Sequence, residues 1–263
     1  MTRLSHTFAC GSRTLVGTLD TAPGSTGLLI VSGGNEIRSG AFGGQADMAA
    51  RIAAAGFPVF RFDRRGIGDS EGENRGFRHS AKDIAAAIDA FRAMVPQMGR
   101  VIAFGNCDAA SALMLAGGAG CDGLVLSNPW TIEHSATGGA AHDAPPPAAI
   151  RARYLEKLKN PREVIRLLSG GVNLSKLAQG LVQALRPPPP PSSLATEMAE
   201  GLAGFSGHVR ILLATADRTA QVFEEAWDKG DPRIYRCEGA GHAYVEPEHR
   251  DWLTAQILAS LRA

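Results

Sequence analysis

The sequence has almost no net charge: 27 lysines and arginines stand against 26 aspartates and glutamates in 263 residues, a formal balance of +1. That balance gives no electrostatic reason to expect nucleic acid or an anionic membrane surface as a partner. Long apolar runs are missing as well. The opening stretch, MTRLSHTFACGSRTLVGTLD, holds none long enough for a signal peptide or a membrane span, so no span is expected and a cytoplasmic location is. Cysteine is scarce: Cys10, Cys107, Cys121 and Cys237 stand apart, with no C-x-x-C pair and no histidine at metal-ligand spacing. A disulfide framework and a cysteine-built metal site are thereby excluded, and isolated thiols fit a reducing compartment. The glycine-containing loop at 63–70 matches neither a P-loop nor a dinucleotide fingerprint, and neither metal nor cofactor is expected.

What the chain does contain is ordinary globular material, 44% apolar and 20% charged, in a length that one large α/β domain would use. Short β-branched runs alternate with helical patterns, the mark of a mostly parallel sheet flanked by crossover helices. An opening pair of strands is expected at 4–8 and 15–19, followed by strands at 27–32, 59–63, 101–105, 123–127, 209–214 and 233–237. Helices are expected at about 45–55, from Ser80 to Pro96, from about 108, at 220–229 and from 247. In the second helix Ile84, Ile88, Phe91 and Val95 share one face, and Ser80-Ala81-Lys82-Asp83 reads as a capping box. Arg61, Arg64, Arg65, Arg75 and Arg78 interleave with Asp63, Asp69, Glu71 and Glu73, which reads as a solvated loop. Between 131 and 205 the rhythm breaks: amphipathic segments at 150–158 and 161–168 precede five prolines at 187–191, a stiff spacer. The expected organisation is a core of residues 1–130 and 206–263 with a helical cap inserted at 131–205.

The stretch Gly105-Asn106-Cys107-Asp108-Ala109 falls between a buried strand and a helix. A G-x-S-x-G nucleophile elbow needs small residues two before and two after its nucleophile, and both are kept here around a cysteine. The helix N-terminus that follows favours a thiolate. Free cysteine is more often a small buried residue, the reading that suits Cys10, Cys121 and Cys237. Asp108 beside the thiol works against its ionisation if the carboxylate points inward, and Ser111 is a weaker nucleophile candidate. A thiol nucleophile needs a base and a group that orients the base. Asp217 follows the strand at 209–214, and His242 follows the strand at 233–237 behind Gly239 and Gly241. Both then land on the sheet's carboxyl edge beside Cys107, in the order nucleophile, acid, histidine. Asp217 also reads as a plain helix cap, and His242 as a surface residue. After the strand at 27–32, Gly33-Gly34-Asn35 can turn backbone N–H groups inward; the expected oxyanion donors are the N–H of Asn35 (or Gly34) and of Asp108. Gly34, Arg38 and Trp130 are the expected substrate contacts, although Arg38 also reads as a partner of Glu36 and Trp130 as an anchor for the cap.

Taken together, GG-x-x-x-R-x-G at 33–40, FRFDRRGIGDSEG, GNCDAAS, LVLSNPW, ATADRTA and a late AGH are similar to one family. The chain resembles the exosortase A system-associated hydrolases (type 1), bacterial proteins encoded beside exopolysaccharide and protein-sorting machinery. The resemblance covers nearly the whole chain, least distinctly in the cap. It implies the α/β-hydrolase fold with a cysteine at the elbow, and it maps nucleophile, acid and base onto Cys107, Asp217 and His242. The cysteine-for-serine exchange also resembles dienelactone hydrolase. The expected activity is hydrolysis of a small-molecule carboxylic ester or thioester through an acyl-thioenzyme. Acyl transfer on the same three residues, and a non-catalytic binding protein accessory to exopolysaccharide assembly, are the alternatives.

Overall fold

The computed structural model describes residues 1–132 and 193–263. Strands β1 (Arg3–Cys10) and β2 (Arg13–Asp20) form an antiparallel hairpin that pairs Arg3 with Asp20 and Cys10 with Arg13. Six further strands follow: β3 (Thr26–Val31), β4 (Val59–Phe62), β5 (Arg100–Asn106), β6 (Gly123–Ser127), β7 (His208–Ala214) and β8 (Ile234–Cys237). They make one sheet in the order β1-β2-β4-β3-β5-β6-β7-β8, antiparallel where β2 meets β4 and parallel from there onward. The opening hairpin and the parallel run behave as their patterns required.

Six α-helices cover the sheet among the described residues: α1 (Gly44–Ala54), α2 (Ala81–Met94), α3 (Asp108–Leu115), α4 (Ser193–Ala203), α5 (Arg218–Ala226) and α6 (Pro247–Arg262). Because side chains alternate along a strand, β3 to β7 each feed two cores. Leu29, Val31, Phe60, Phe62, Val101 and Ala103 pack with Ile84, Ile88 and Phe91 of α2, Leu113 of α3 and Phe223 of α5. On the opposite face Leu28, Ile30, Val59, Ile102 and Phe104 pack with Met48 and Ile52 of α1 and Ile257 and Leu261 of α6. The expected face of α2 is fully used, Val95 included. Each such large side chain contributes about 1.5–3 kcal/mol on burial.

Two local expectations are corrected. The capping box does not form, since Ser80 makes no side-chain cap bond to α2. Its Oγ instead accepts from Arg64 (3.1 Å), and Asp83 accepts from the Arg65 N–H (3.0 Å) and guanidinium (2.8 Å). Nor is the arginine-rich stretch uniformly solvated: Arg61 and Arg64 are buried, because their acidic partners come from distant segments. Arg61 pairs with Asp20 at 3.2 Å, and Arg64 reaches Asp108 at 3.7 Å. The expected cap segments at 150–158 and 161–168 and the proline run lie outside the described residues. Helix α4, within the span 131–205, buries Leu194, Met198 and Leu202 in the core beside α3.

Candidate active site

Strand β5 ends at Asn106 and α3 begins at Asp108, so the chain reverses at Cys107, whose φ of 62° and ψ of −128° are rare for a residue with a Cβ. Gly105 permits the crossing: a Cβ there would lie 2.7 Å from the carbonyl carbon of Ala109. The reversal leaves Cys107 half-buried at the sheet's carboxyl edge, at the first turn of α3, while Cys10, Cys121 and Cys237 are buried. Burial pushes the Cys121 thiol up to about 12 and raises those of Cys10 and Cys237. Ser111 is fully buried; its Oγ donates to the Trp130 carbonyl and accepts from the Trp130 N–H, both at 2.8 Å.

Asp217 follows β7 and caps α5. Its carboxylate accepts from the N–H groups of Thr219 and Ala220, both at 3.2 Å, and Oδ2 lies 2.9 Å from His242 Nδ1. The cap and the histidine partner are therefore one carboxylate in both roles. Since Asp217 can only accept, Nδ1 carries the proton and Nε2 is left for a second partner. The His242 imidazole is held up to about 10; the Asp217 hydrogen bond is the largest cause, hydrogen bonding with the Cys107 side chain the second, and burial opposes both. Cys107, His242 and Asp217 are thus brought together from three strand ends.

The Asp108 carboxylate is mostly buried and is engaged by the β3 loop and by Arg64. Its Oδ1 accepts the Gly34 N–H at 2.6 Å, and its Oδ2 is 3.7 Å from the Arg64 guanidinium, which also donates to the Gly34 carbonyl at 2.5 Å. The β3 loop is thereby clamped against the elbow. Gly33 has to be glycine at this approach, for a Cβ would sit 2.7 Å from the Asn106 carbonyl oxygen and 2.9 Å from Asp108 Oδ1. With the Gly34 N–H engaged, the Asn35 N–H is the neighbouring donor in the loop. The tie of Arg64 to Asp108 has no local signal in the sequence, because 44 residues separate them.

Beside Cys107 and His242 opens a cavity of about 320 Å³, walled by Gly33, Gly34 and Phe104, by Met48 and Arg51 of α1, and by Leu253 of α6. Its size suits a small molecule. Gly34 lines it as expected; Arg38 and Trp130 do not. Arg38 is held by Asp63, through a short guanidinium contact and a backbone N–H bond of 2.5 Å, and by Asp69 at 2.9 Å, so Glu36 is not its partner either. Trp130 packs on the core and donates its indole N–H to the Ile132 carbonyl at 2.8 Å. The cavity walls given by α1 and α6 escape sequence reading, because their apolar faces look like core.

The model of the Alpha/beta hydrolase family matches residues 28–256, from β3 into α6. The chain belongs to the alpha/beta hydrolase family. Its sheet order, flanking helices and elbow are the α/β-hydrolase fold, and solved members of that fold align along the whole chain. The alpha/beta hydrolase GrgF from Penicillium sp. sh18 gives a TM-score of 0.64 at 16% identity, covering 100% of this chain and 98% of that one. An esterase of Pyrococcus furiosus gives 0.64 at 11% identity, with 99% and 90% covered. The thioesterase domain from the curacin biosynthetic pathway gives 0.57 at 12% identity, with 100% of each chain covered. No curated protein matches the sequence. Among the described residues no helix is long and apolar enough to cross a membrane.

Proposed function

We propose that the protein is a cofactor-independent hydrolase of carboxylic esters or thioesters, working through Cys107, His242 and Asp217. The observation that carries this is a strained cysteine elbow facing a histidine whose far nitrogen is fixed by a carboxylate at 2.9 Å. In this reading His242 Nε2 takes the Cys107 proton, and Sγ adds to the carbonyl carbon. The oxyanion rests on the N–H groups of Asp108 and Asn35. Collapse breaks the bond to the alkoxide or thiolate, which leaves with the proton from His242, and an acyl-thioenzyme remains. Water, deprotonated by His242, then adds to the thioester; the second collapse frees the acid and returns the thiolate.

Acylation removes the Cys107 partner, the second cause after Asp217 that holds the imidazole protonated, and so lowers the proton affinity of His242 at the stage when water must be activated. Asp108, which favoured a non-catalytic scaffold, is tied to Gly34 and Arg64, and this supports catalysis over binding alone. The acyl group is assigned to the 320 Å³ cavity. Kinship with the exosortase A-associated hydrolases and a cytoplasmic location, for which the free thiols speak, belong to the same proposal. Turnover of p-nitrophenyl acetate and butyrate tests it: wild type should hydrolyse both, Cys107→Ala should lose nearly all activity, and equal rates would sink the assignment.

A further inference from the structure

Asn128, just past the end of β6, makes more contacts to the candidate site than any role in the core requires. It is completely buried and has a φ of 44°, a conformation that asparagine tolerates better than most residues. Its backbone N–H donates to Leu212 in β7 at 2.8 Å. Its side-chain Oδ1 accepts the Ala214 N–H at 2.8 Å, three residues before Asp217. Its Nδ2 donates to Asn106 Oδ1 at 3.0 Å, next to Cys107, and to the His242 carbonyl at 3.4 Å. Asn106 Nδ2 reaches the same carbonyl at 3.2 Å. The preceding residue adds a parallel tie, because Ser127 Oγ and the buried Tyr244 hydroxyl lie 3.0 Å apart.

We infer that Asn128 is a positioning residue: its carboxamide locks the nucleophile strand, the acid strand and the histidine loop into one arrangement. The inference rests on Cys107, His242 and Asp217 acting together. The loop that delivers His242 contains Gly239, at a φ of 73°, and Gly241, and its backbone is tied on either side of His242 by the Ala216 N–H to the Ala240 carbonyl at 3.0 Å and the Tyr244 N–H to the Gly241 carbonyl at 3.1 Å. The His242 carbonyl itself is held by the pair of amides from Asn106 and Asn128. Asp217 orients the ring, and Asn128 holds the main chain from which the ring projects. An amide is suited to this, since one group accepts from β7 while donating to both other elements, and complete burial makes each bond costly to lose. Asn128 itself does not line the cavity, so its effect passes through His242 and Cys107.

The test uses the full chain with Asn128→Gly, which keeps the backbone conformation and the backbone bond to Leu212 but removes the carboxamide. Turnover of p-nitrophenyl butyrate is measured together with the rate of Cys107 alkylation by iodoacetamide from pH 5 to 10, with His242→Ala as reference. The expected result is a cooperatively folded variant whose kcat falls by about a hundredfold with KM little changed, as a misplaced catalytic group gives. Its alkylation profile should move toward that of His242→Ala. A folded Asn128→Gly with the wild-type kcat and alkylation profile would overturn the inference. If Asn128→Gly does not fold, Asn106→Ala decides by the same readouts, since it deletes one donor to the His242 carbonyl and the acceptor of Asn128. Should wild type and His242→Ala alkylate alike, the pairing of Cys107 with His242 fails, and the role of Asn128 fails with it.

Discussion

At the scale of single residues, the site is built from side chains that each do two things. Asp217 caps α5 and holds the His242 imidazole, so neither of its two sequence readings had to exclude the other. The fold raises His242 from its ordinary value to about 10, which means that it favours the protonated ring. That contribution to stability is fully present below the unfolded value of about 6.5 and is lost as pH rises through about 10. Urea denaturation of wild type and His242→Gln should therefore show the largest stability gap below pH 6.5 and a narrowing gap toward pH 10. Arg64 is the second such residue, a buried cation that meets both the Asp108 carboxylate and the Gly34 carbonyl. Arg64→Met leaves that carboxylate with the Gly34 N–H alone, and the expected loss is about 1–3 kcal/mol in denaturant melts, with kcat reduced because the Gly33–Asn35 loop is freed. Arg38 shows the opposite lesson. A charge near the loop looks available in sequence, yet Asp63 and Asp69 already hold it.

At the scale of elements, most of the chain was legible because period and punctuation agree. Residues 27–32 and 101–105 are continuous apolar runs, and they became the central β3 and β5, covered on both faces. The face of α2 followed from spacing and its start at Ser80 from residue identity, whereas the fate of the capping-box side chains did not. Ser80 and Asp83 have the right identities for a capping box, but Arg64 and Arg65 arrive from another segment and take their oxygen atoms. Local pattern reports periodicity well and long-range polar partners not at all. The strand-to-helix crossing at Gly105 gives the element-scale prediction. Gly105→Ala forces a methyl group to 2.7 Å from the α3 backbone, which cannot yield as a flexible side chain would. About 1–3 kcal/mol of stability should be lost in thermal melts, and turnover should fall because the elbow must shift.

At the scale of the whole molecule, the parallel strands β3 to β8 deliver their loops to one edge, so residues far apart in sequence converge there. The order Cys107, Asp217, His242 was readable for that reason: each follows a recognisable strand. The cavity was not, since its walls come from faces of α1 and α6 that look like core in a linear pattern. Nor was the clamp of Asp108 with Gly34 and Arg64, whose members come from the first turn of α3 and from the loops after β3 and β4. The most direct measurement is peptide mass spectrometry of the enzyme quenched during turnover of p-nitrophenyl acetate, in wild type, His242→Ala and Cys107→Ala. An acetyl group on the peptide containing Cys107, absent from Cys107→Ala, is the predicted result. Turnover with no adduct on Cys107, or undiminished turnover by Cys107→Ala, would contradict the account.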